Sequence, residues 1–361
     1  MVAGSRTVAG DVSLRQPVWL QRYKGNTVAT LATMPGGPMS QKNRQGVLRS
    51  RPKGLVADGD IELIETELPE LVGGEALVKT TLVGIDAAAR TWLDDQPGYL
   101  PPVQVGEVVR AATVGEVVAT RCDAYEVGDV VTTLGGFSAY SISRDDVYTT
   151  VMGRVSAGTA GVDQEALLAL FGSTGATAYF GMYDIGRPKA GETVVVSAAA
   201  GATGSIAGQL AKAAGARVVG IAGSDEKCAV VTDEFGFDSC INYRTTDLRA
   251  ALREHCPDRV DVYFDNVGGP ILDAVLGRLA MHARVALCGV ISSYVSGEHP
   301  GPSNYVKLLA MRASMAGFNT LDNWGRFDEA NAELRRLFDA GKLTFRSHVF
   351  DGLDQAIPAL N

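Results

Sequence analysis

Cysteine, histidine and long apolar runs are scarce in this chain of 361 residues. Its five cysteines, Cys122, Cys228, Cys240, Cys256 and Cys288, are scattered, and none falls in C-x-x-C. That fits reduced thiols in a cytoplasmic protein. The four histidines are equally scattered. There is no H-E-x-x-H and no ligand pair at helical spacing, so no metal is expected. No apolar run approaches the roughly 18 residues of a membrane span. Residues 1–38 hold no continuous apolar core of a secretory signal. Basic blocks are missing and the net charge is −8, which argues against nucleic acid as a partner. No internal repeat is evident.

What is present is a globular composition, 46% hydrophobic, in a chain long enough for two domains. The stretch 193–224 organises the rest. Thr193-Val194-Val195-Val196 is a buried strand. A turn of small residues follows over 197–204. Residues 205–214 then read as a helix with Ile206, Leu210 and Ala214 on one face, stopped by Gly215. A second strand, 217–222, closes a βαβ unit. The turn carries Ala198-x-x-Gly201-x-x-Gly204, a variant of the dinucleotide fingerprint. Gly201 lacks the Cβ that would block a pyrophosphate, and Gly204 lets helix and strand approach. The helix N-terminus offers free N–H groups and partial positive charge.

The end of the second strand bears on which dinucleotide binds. An NAD site places Asp or Glu there for the ribose 2′-OH. This chain has Gly223-Ser224, which leaves room for a 2′-phosphate, with Lys227 in reach to balance its charge. NADP is favoured. Asp225 remains an alternative ribose acceptor, which leaves NAD open.

Around this unit the chain divides. Residues 1–38 are poor in pattern and are expected to be a disordered extension or foreign upstream sequence, with Met39 a natural start. Strand patterns over 75–83, 105–120 and 127–143, separated by glycine turns, suggest a barrel-like β domain. A helix over 164–171 leads into Gly172-Ser173-Thr174-Gly175. Strand candidates then recur at 193–197, 217–222, 239–242, 260–265, 284–288 and 314–318. Helices separate most of them, clearest at 270–280. The expected fold is α/β, a doubly wound six-stranded parallel sheet with ligand loops at its carboxyl ends. The loop 296–303 after Tyr294, rich in Gly and Pro, is either a substrate lid or a plain surface connection. A helix at 327–340, with Ala330, Leu334, Leu337 and Phe338 apolar, precedes a strand-like piece at 344–350, and the chain stops at Asn361 without a closing strand.

This order resembles the medium-chain dehydrogenases/reductases. Within them it resembles the zinc-independent branch of prostaglandin reductases, alkenal double-bond reductases and curcumin reductases. The carriers are Met39-Ser40-Gln41-Lys42-Asn43-Arg44, Val105-Gly106-Glu107-Val108-Val109-Arg110, the turn at 197–208, Gly223-Ser224-Asp225-Glu226-Lys227, Ile241-Asn242-Tyr243, Phe264-Asp265-Asn266-Val267-Gly268-Gly269 and Cys288-Gly289-Val290-Ile291-Ser292-Ser293-Tyr294. The resemblance implies a GroES-like β-barrel domain over 39–165, a Rossmann domain over 166–320 and a return segment, cut short, over 321–361. It implies NADPH-dependent reduction of the C=C bond of small α,β-unsaturated ketones and aldehydes, in a homodimer.

By the same resemblance Gly201, Ala202, Thr203 and Gly204 hold the pyrophosphate, and Lys227 and Tyr243 the 2′-phosphate. Asn266, the strand end Cys288-Gly289-Val290-Ile291-Ser292, and Phe318-Asn319-Thr320 frame the nicotinamide half, with Thr174 near the ring. Tyr294 matches the catalytic tyrosine that donates to the developing enolate. Two departures stand out. The family's Asp-Pro-Tyr-Met-Arg-Gly reads Asp86-Ala87-Ala88-Ala89-Arg90-Thr91 here, without its tyrosine, and the family's Asn-x-Gly-Lys tail is not present before Asn361. The alternatives are a quinone reductase of the same superfamily or a non-catalytic NADPH-binding protein.

Overall fold

The structure is a computed structural model that describes residues 19–22, 42–96, 98–145, 150–151, 159–297 and 301–361. Its first part is strand-rich: Trp19–Arg22 (β1), Lys42–Leu48 (β2), Ile61–Glu67 (β3), Glu75–Ile85 (β4), Thr113–Thr120 (β5), Val130–Thr133 (β6), Tyr140–Arg144 (β7) and Thr150–Val151 (β8). β4 is the hub. It pairs antiparallel with β1, β5 and β7. Its apolar residues Leu77, Val78, Leu82, Val83 and Ile85 are all buried, so both faces are covered. β2 and β3 form an antiparallel ribbon, bridged to the remaining strands at Gln45–Ser138 and Val47–Val108. This is the small GroES-like domain.

The second part holds Thr193–Ser197 (β9), Arg217–Ala222 (β10), Ser239–Asn242 (β11), Val260–Asp265 (β12), Leu279–Leu287 (β13) and Ser314–Gly317 (β14). They form one parallel sheet in the order β11-β10-β9-β12-β13-β14. The order reverses at β9, which makes the sheet doubly wound and opens a crevice at the carboxyl ends of β9 and β12. Val194, Val196 and Val218 face one core, with Ile206 and Leu210; Val195, Val219 and Ile221 face the other. Burial on both faces is why these strands read as unbroken β-branched runs rather than as alternations.

Four details differ from the sequence expectation. The helix after β9 spans Ala202–Ala213, not 205–214, because Gly201 in extended conformation (φ −79°, ψ 168°) is its N-cap. Thr203 and Gly204 therefore lie in its first turn. The helix placed at 270–280 is Gly269–Leu276; Leu279 already pairs with Val260 as the first residue of β13. The strand placed at 344–350 is shifted to His348–Asp351 (β15). Thr344 is instead held by Gln209, whose amide donates to its carbonyl at 3.0 Å and accepts its N–H at 2.8 Å. Finally, Trp19–Arg22 lies in the stretch expected to be disordered, yet is a strand between β15 and β4, parallel to the first and antiparallel to the second. The rest of 1–38 lies outside the described residues, as do residues 298–300 of the 296–303 loop. Among the described residues no helix is long and apolar enough to cross a membrane.

Candidate active site

The crevice begins at the turn after β9. Ala198 adopts φ +48°, and the chain then caps the helix Ala202–Ala213 at Gly201. The N–H groups of the first helical turn have no intrahelical acceptor and point out of the helix end. A Cβ on Gly204 would lie 2.4 Å from the Ala198 carbonyl oxygen, so only glycine permits this closeness of helix and turn. Gly201, Ala202, Thr203 and Gly204 are thus brought together as a site for an anion.

At the end of β10 the sheet register sets Ala222 opposite Asn242. Gly223 and the residues after β11 therefore meet. Ser224 caps the helix Asp225–Asp233 by accepting from the Lys227 N–H at 3.3 Å. Asn242 donates its amide to the Asp225 carboxylate at 2.7 Å. Tyr243 is exposed beside Gly223. Arg244, which the sequence reading passed over, stacks its guanidinium 5.9 Å from the Tyr243 ring centroid. Were Gly223 to carry a Cβ, it would lie 3.4 Å from Arg244 Nε and 3.5 Å from Tyr243 Oη. A guanidinium and a phenol thus flank the glycine. The signal for Arg244 was available: it stands two residues past the end of β11, the strand paired with β10.

The third group lies at the ends of β12 and β13. Asn266 donates its N–H to Ser197 Oγ at 2.9 Å and its side-chain amide to the Ser197 carbonyl at 2.7 Å. The loop 266–269 and the segment 288–293 clasp one another. Ile291 N–H donates to the Asn266 carbonyl at 3.2 Å, and Ser292 Oγ to the Val267 carbonyl at 2.7 Å. Cys288, Gly289, Val290, Ile291 and Ser292 follow β13 directly. Phe318 takes a packing role, 6.3 Å from Phe264 and against Gly181. Asn319 caps the following turn through the Leu321 N–H at 2.9 Å. Thr320 Oγ1 is buried with no hydrogen-bond partner among the described residues. Thr174 stands in the first turn of a separate helix, Ser173–Phe180, packed on the helix Ala202–Ala213.

Tyr294 closes this end. Its hydroxyl folds back over the backbone, 2.9 Å from where a Cβ on Gly289 would be. Burial pushes its pKa up to about 12 against a hydrogen bond from Val290, with Asp86, Cys288 and Tyr99 adding to the rise. The phenol is therefore neutral and a donor. Burial likewise raises the Cys288 thiol, which keeps it protonated and unreactive. Asp86 caps the 3-10 helix Ala87–Leu93 through the Ala88 N–H at 2.7 Å. Arg90 of that helix is buried, donating to the carbonyls of Gly54 and Pro52 and to Asp94. Trp92 Nε1 donates to Tyr99 Oη at 3.3 Å, and the Arg110 guanidinium lies 5.8 Å from the Trp92 ring. Where the tyrosine of the Asp86 segment is missing, Tyr99 supplies another phenol to the same wall. Among the described residues no group of three His, Cys, Asp or Glu side chains could hold a metal ion.

Comparison with known proteins agrees with this geometry. Residues 44–151 match the N-terminal domain of oxidoreductase, and 202–336 match the zinc-binding dehydrogenase domain. The chain is 37% identical over 326 residues to the NADPH-dependent curcumin reductase of Escherichia coli, covering 89% of this chain and 93% of that one. It is 33% identical over 324 residues to the NADP(+)-dependent 2-alkenal reductase of Nicotiana tabacum, covering 88% and 93%. The crystal structure of CurA from Vibrio vulnificus in complex with NADPH superposes with a TM-score of 0.82 at 37% identity, covering 88% of this chain and 94% of that one. With a doubly wound sheet, a glycine-capped anion site and a GroES-like domain in one chain, and relatives matched almost end to end, the chain belongs to the zinc-independent medium-chain dehydrogenases/reductases, in the branch of the curcumin, alkenal and prostaglandin reductases.

Proposed function

We propose that this chain reduces the C=C bond of α,β-unsaturated ketones and aldehydes with NADPH. The observation that carries the reading is the Tyr294 hydroxyl, set over Gly289 at the carboxyl end of β13, two strands from the Gly201 turn at the end of β9. The site fits the dinucleotide: Gly201 caps the helix Ala202–Ala213 with its first-turn N–H groups free for an anion, Gly223 lies beside Arg244 and Tyr243, and Thr320 Oγ1 awaits a polar partner. Gly201, Ala202, Thr203 and Gly204 hold the pyrophosphate. Gly223 and Ser224 admit the 2′-phosphate, with Lys227, Tyr243 and Arg244 around it. Asn266, the 288–292 segment and Phe318-Asn319-Thr320 frame the nicotinamide half, with Thr174 alongside.

When bound, the cofactor supplies a hydride for the β-carbon of the enone. As negative charge moves to the carbonyl oxygen, the Tyr294 O–H donates to it. A donor fixed in advance costs no reorganisation at the moment of charge development. The raised pKa has a consequence for pH. An ordinary phenol starts to lose its proton near pH 10, whereas that of Tyr294 keeps it to about 12. The kcat/KM for an enone should therefore stay level from about pH 8 to about pH 10. A fall centred near the ordinary phenol value would remove Tyr294 as the donor.

The reading of domains follows: 39–165 and 321–361 form the catalytic domain and 166–320 the Rossmann domain. A cytoplasmic location is supported by five unpaired cysteines. A homodimer is supported by β14, an exposed sheet edge, and by the helix Val306–Met311, which buries no residue. Leu309 is 85% exposed and Tyr305 61%. Leu309→Asp should shift the protein from dimer to monomer in light scattering; an unchanged mass would clear this face of the role.

The deciding assay follows loss of NADPH with a 2-alkenal, an aryl enone and a quinone in parallel, with product analysis. A saturated carbonyl product carries the proposal. Turnover of quinone alone identifies a quinone reductase instead, and binding without turnover a non-catalytic protein.

A further inference from the structure

Asp265 ends β12 and is fully buried. Among the described residues no cation lies at ion-pair distance from it. Its carboxylate instead accepts from Tyr263 Oη at 2.7 Å, Ser197 Oγ at 3.0 Å, Val267 N at 3.0 Å and Gly268 N at 3.0 Å. Its backbone carbonyl accepts from Cys288 N at 2.8 Å and Gly289 N at 3.1 Å. The same Ser197 hydroxyl that donates to Asp265 accepts from the Asn266 N–H. One residue therefore ties the ends of β9, β12 and β13.

A buried carboxylate is tolerated only when its lone pairs are satisfied, and here backbone donors satisfy them. To meet it, the loop turns back on itself, with Gly268 at φ +71° and Gly269 at φ +52°. A side chain with no acceptor oxygen would leave the Val267 and Gly268 N–H groups without a partner and free the loop. The opposite wall depends on the same loop, because Ile291 and Ser292 hang from the Asn266 and Val267 carbonyls.

We propose that Asp265 is a positioning residue: it holds loops 266–269 and 288–293 in the one arrangement that receives the nicotinamide end and keeps Tyr294 over Gly289. This rests on the reading of the site given above. The adenine end, built on β10 and β11, does not depend on it.

The test compares two ligands by calorimetry on the full chain: NADPH, and adenosine 2′,5′-bisphosphate, which reaches only the adenine end. Asp265→Ala should weaken NADPH at least about tenfold and leave the bisphosphate within about twofold, with kcat for an enone reduced. Ser197→Ala keeps the carboxylate and removes one link, and should give the same split at smaller size. It decides the matter if Asp265→Ala does not fold. Equal weakening of both ligands, or no change in either, overturns the proposal. Failure of the unaltered protein to bind either ligand overturns the reading of the site itself, and this inference with it.

Discussion

Tyr294→Phe should lower kcat for an enone about 10²–10³-fold while the KM for NADPH stays within about twofold. The substitution removes one oxygen and keeps the ring. The hydroxyl is the atom that approaches Gly289, and its removal leaves the ring and the backbone of the groove in place. What is lost is a donor that matters only as charge reaches the carbonyl oxygen, which is why the loss belongs in kcat and not in cofactor affinity. Steady-state kinetics with an aryl enone measures both. An unchanged kcat would leave Tyr294 as a pocket wall only. Tyr99→Phe is the natural companion. Tyr99 shares the Asp86 and Cys288 surroundings of Tyr294, and it accepts from Trp92 rather than standing at Gly289. Its loss should alter KM for substrates more than kcat.

The second large effect lies at the other end of the crevice. Lys227→Ala and Arg244→Ala should each raise the Kd for NADPH about tenfold, the low end for hydrogen bonds between charged groups because both residues reach solvent. NADH should be unaffected, since it has no 2′-phosphate for them to meet. Arg244 lies over Tyr243 and beside Gly223. The Asp225 carboxylate accepts from the Asn242 amide at 2.7 Å. Added salt should weaken NADPH less in the variants than in the unaltered protein, because fewer charges remain to be screened. Equal losses for NADPH and NADH would mean that these residues support the fold of this corner and do not read the phosphate.

Much of this site was legible beforehand where local rules decide it. Gly201 and Gly204 were readable because only a residue without a Cβ fits such a turn, and the structure has a Cβ on Gly204 colliding with Ala198. The six parallel strands were readable because strands buried on both faces must be apolar throughout. Helix ends were less legible. Residues 198–204 are small and fit a turn or a first helical turn equally well, and the N-cap conformation of Gly201 chose between them. The apolar pair Leu279-Ala280 extends a helical pattern as readily as it begins a strand, until Val260 is there to pair with it.

By itself the sequence determined the sheet, the anion-binding turn, the absence of a metal motif and the tyrosine after the last nicotinamide loop, because each depends on residues close together along the chain. Only the tertiary structure decided what depends on distant residues meeting. The β10–β11 register brings Arg244 to Gly223. Asn242 donates to the Asp225 carboxylate. Tyr99 joins a wall that lacks the family's tyrosine. Asp265 gathers the ends of three strands around one buried carboxylate. A linear pattern carries propensity and periodicity, whereas hydrogen bonds between strand ends exist only once the sheet has fixed which ends are neighbours.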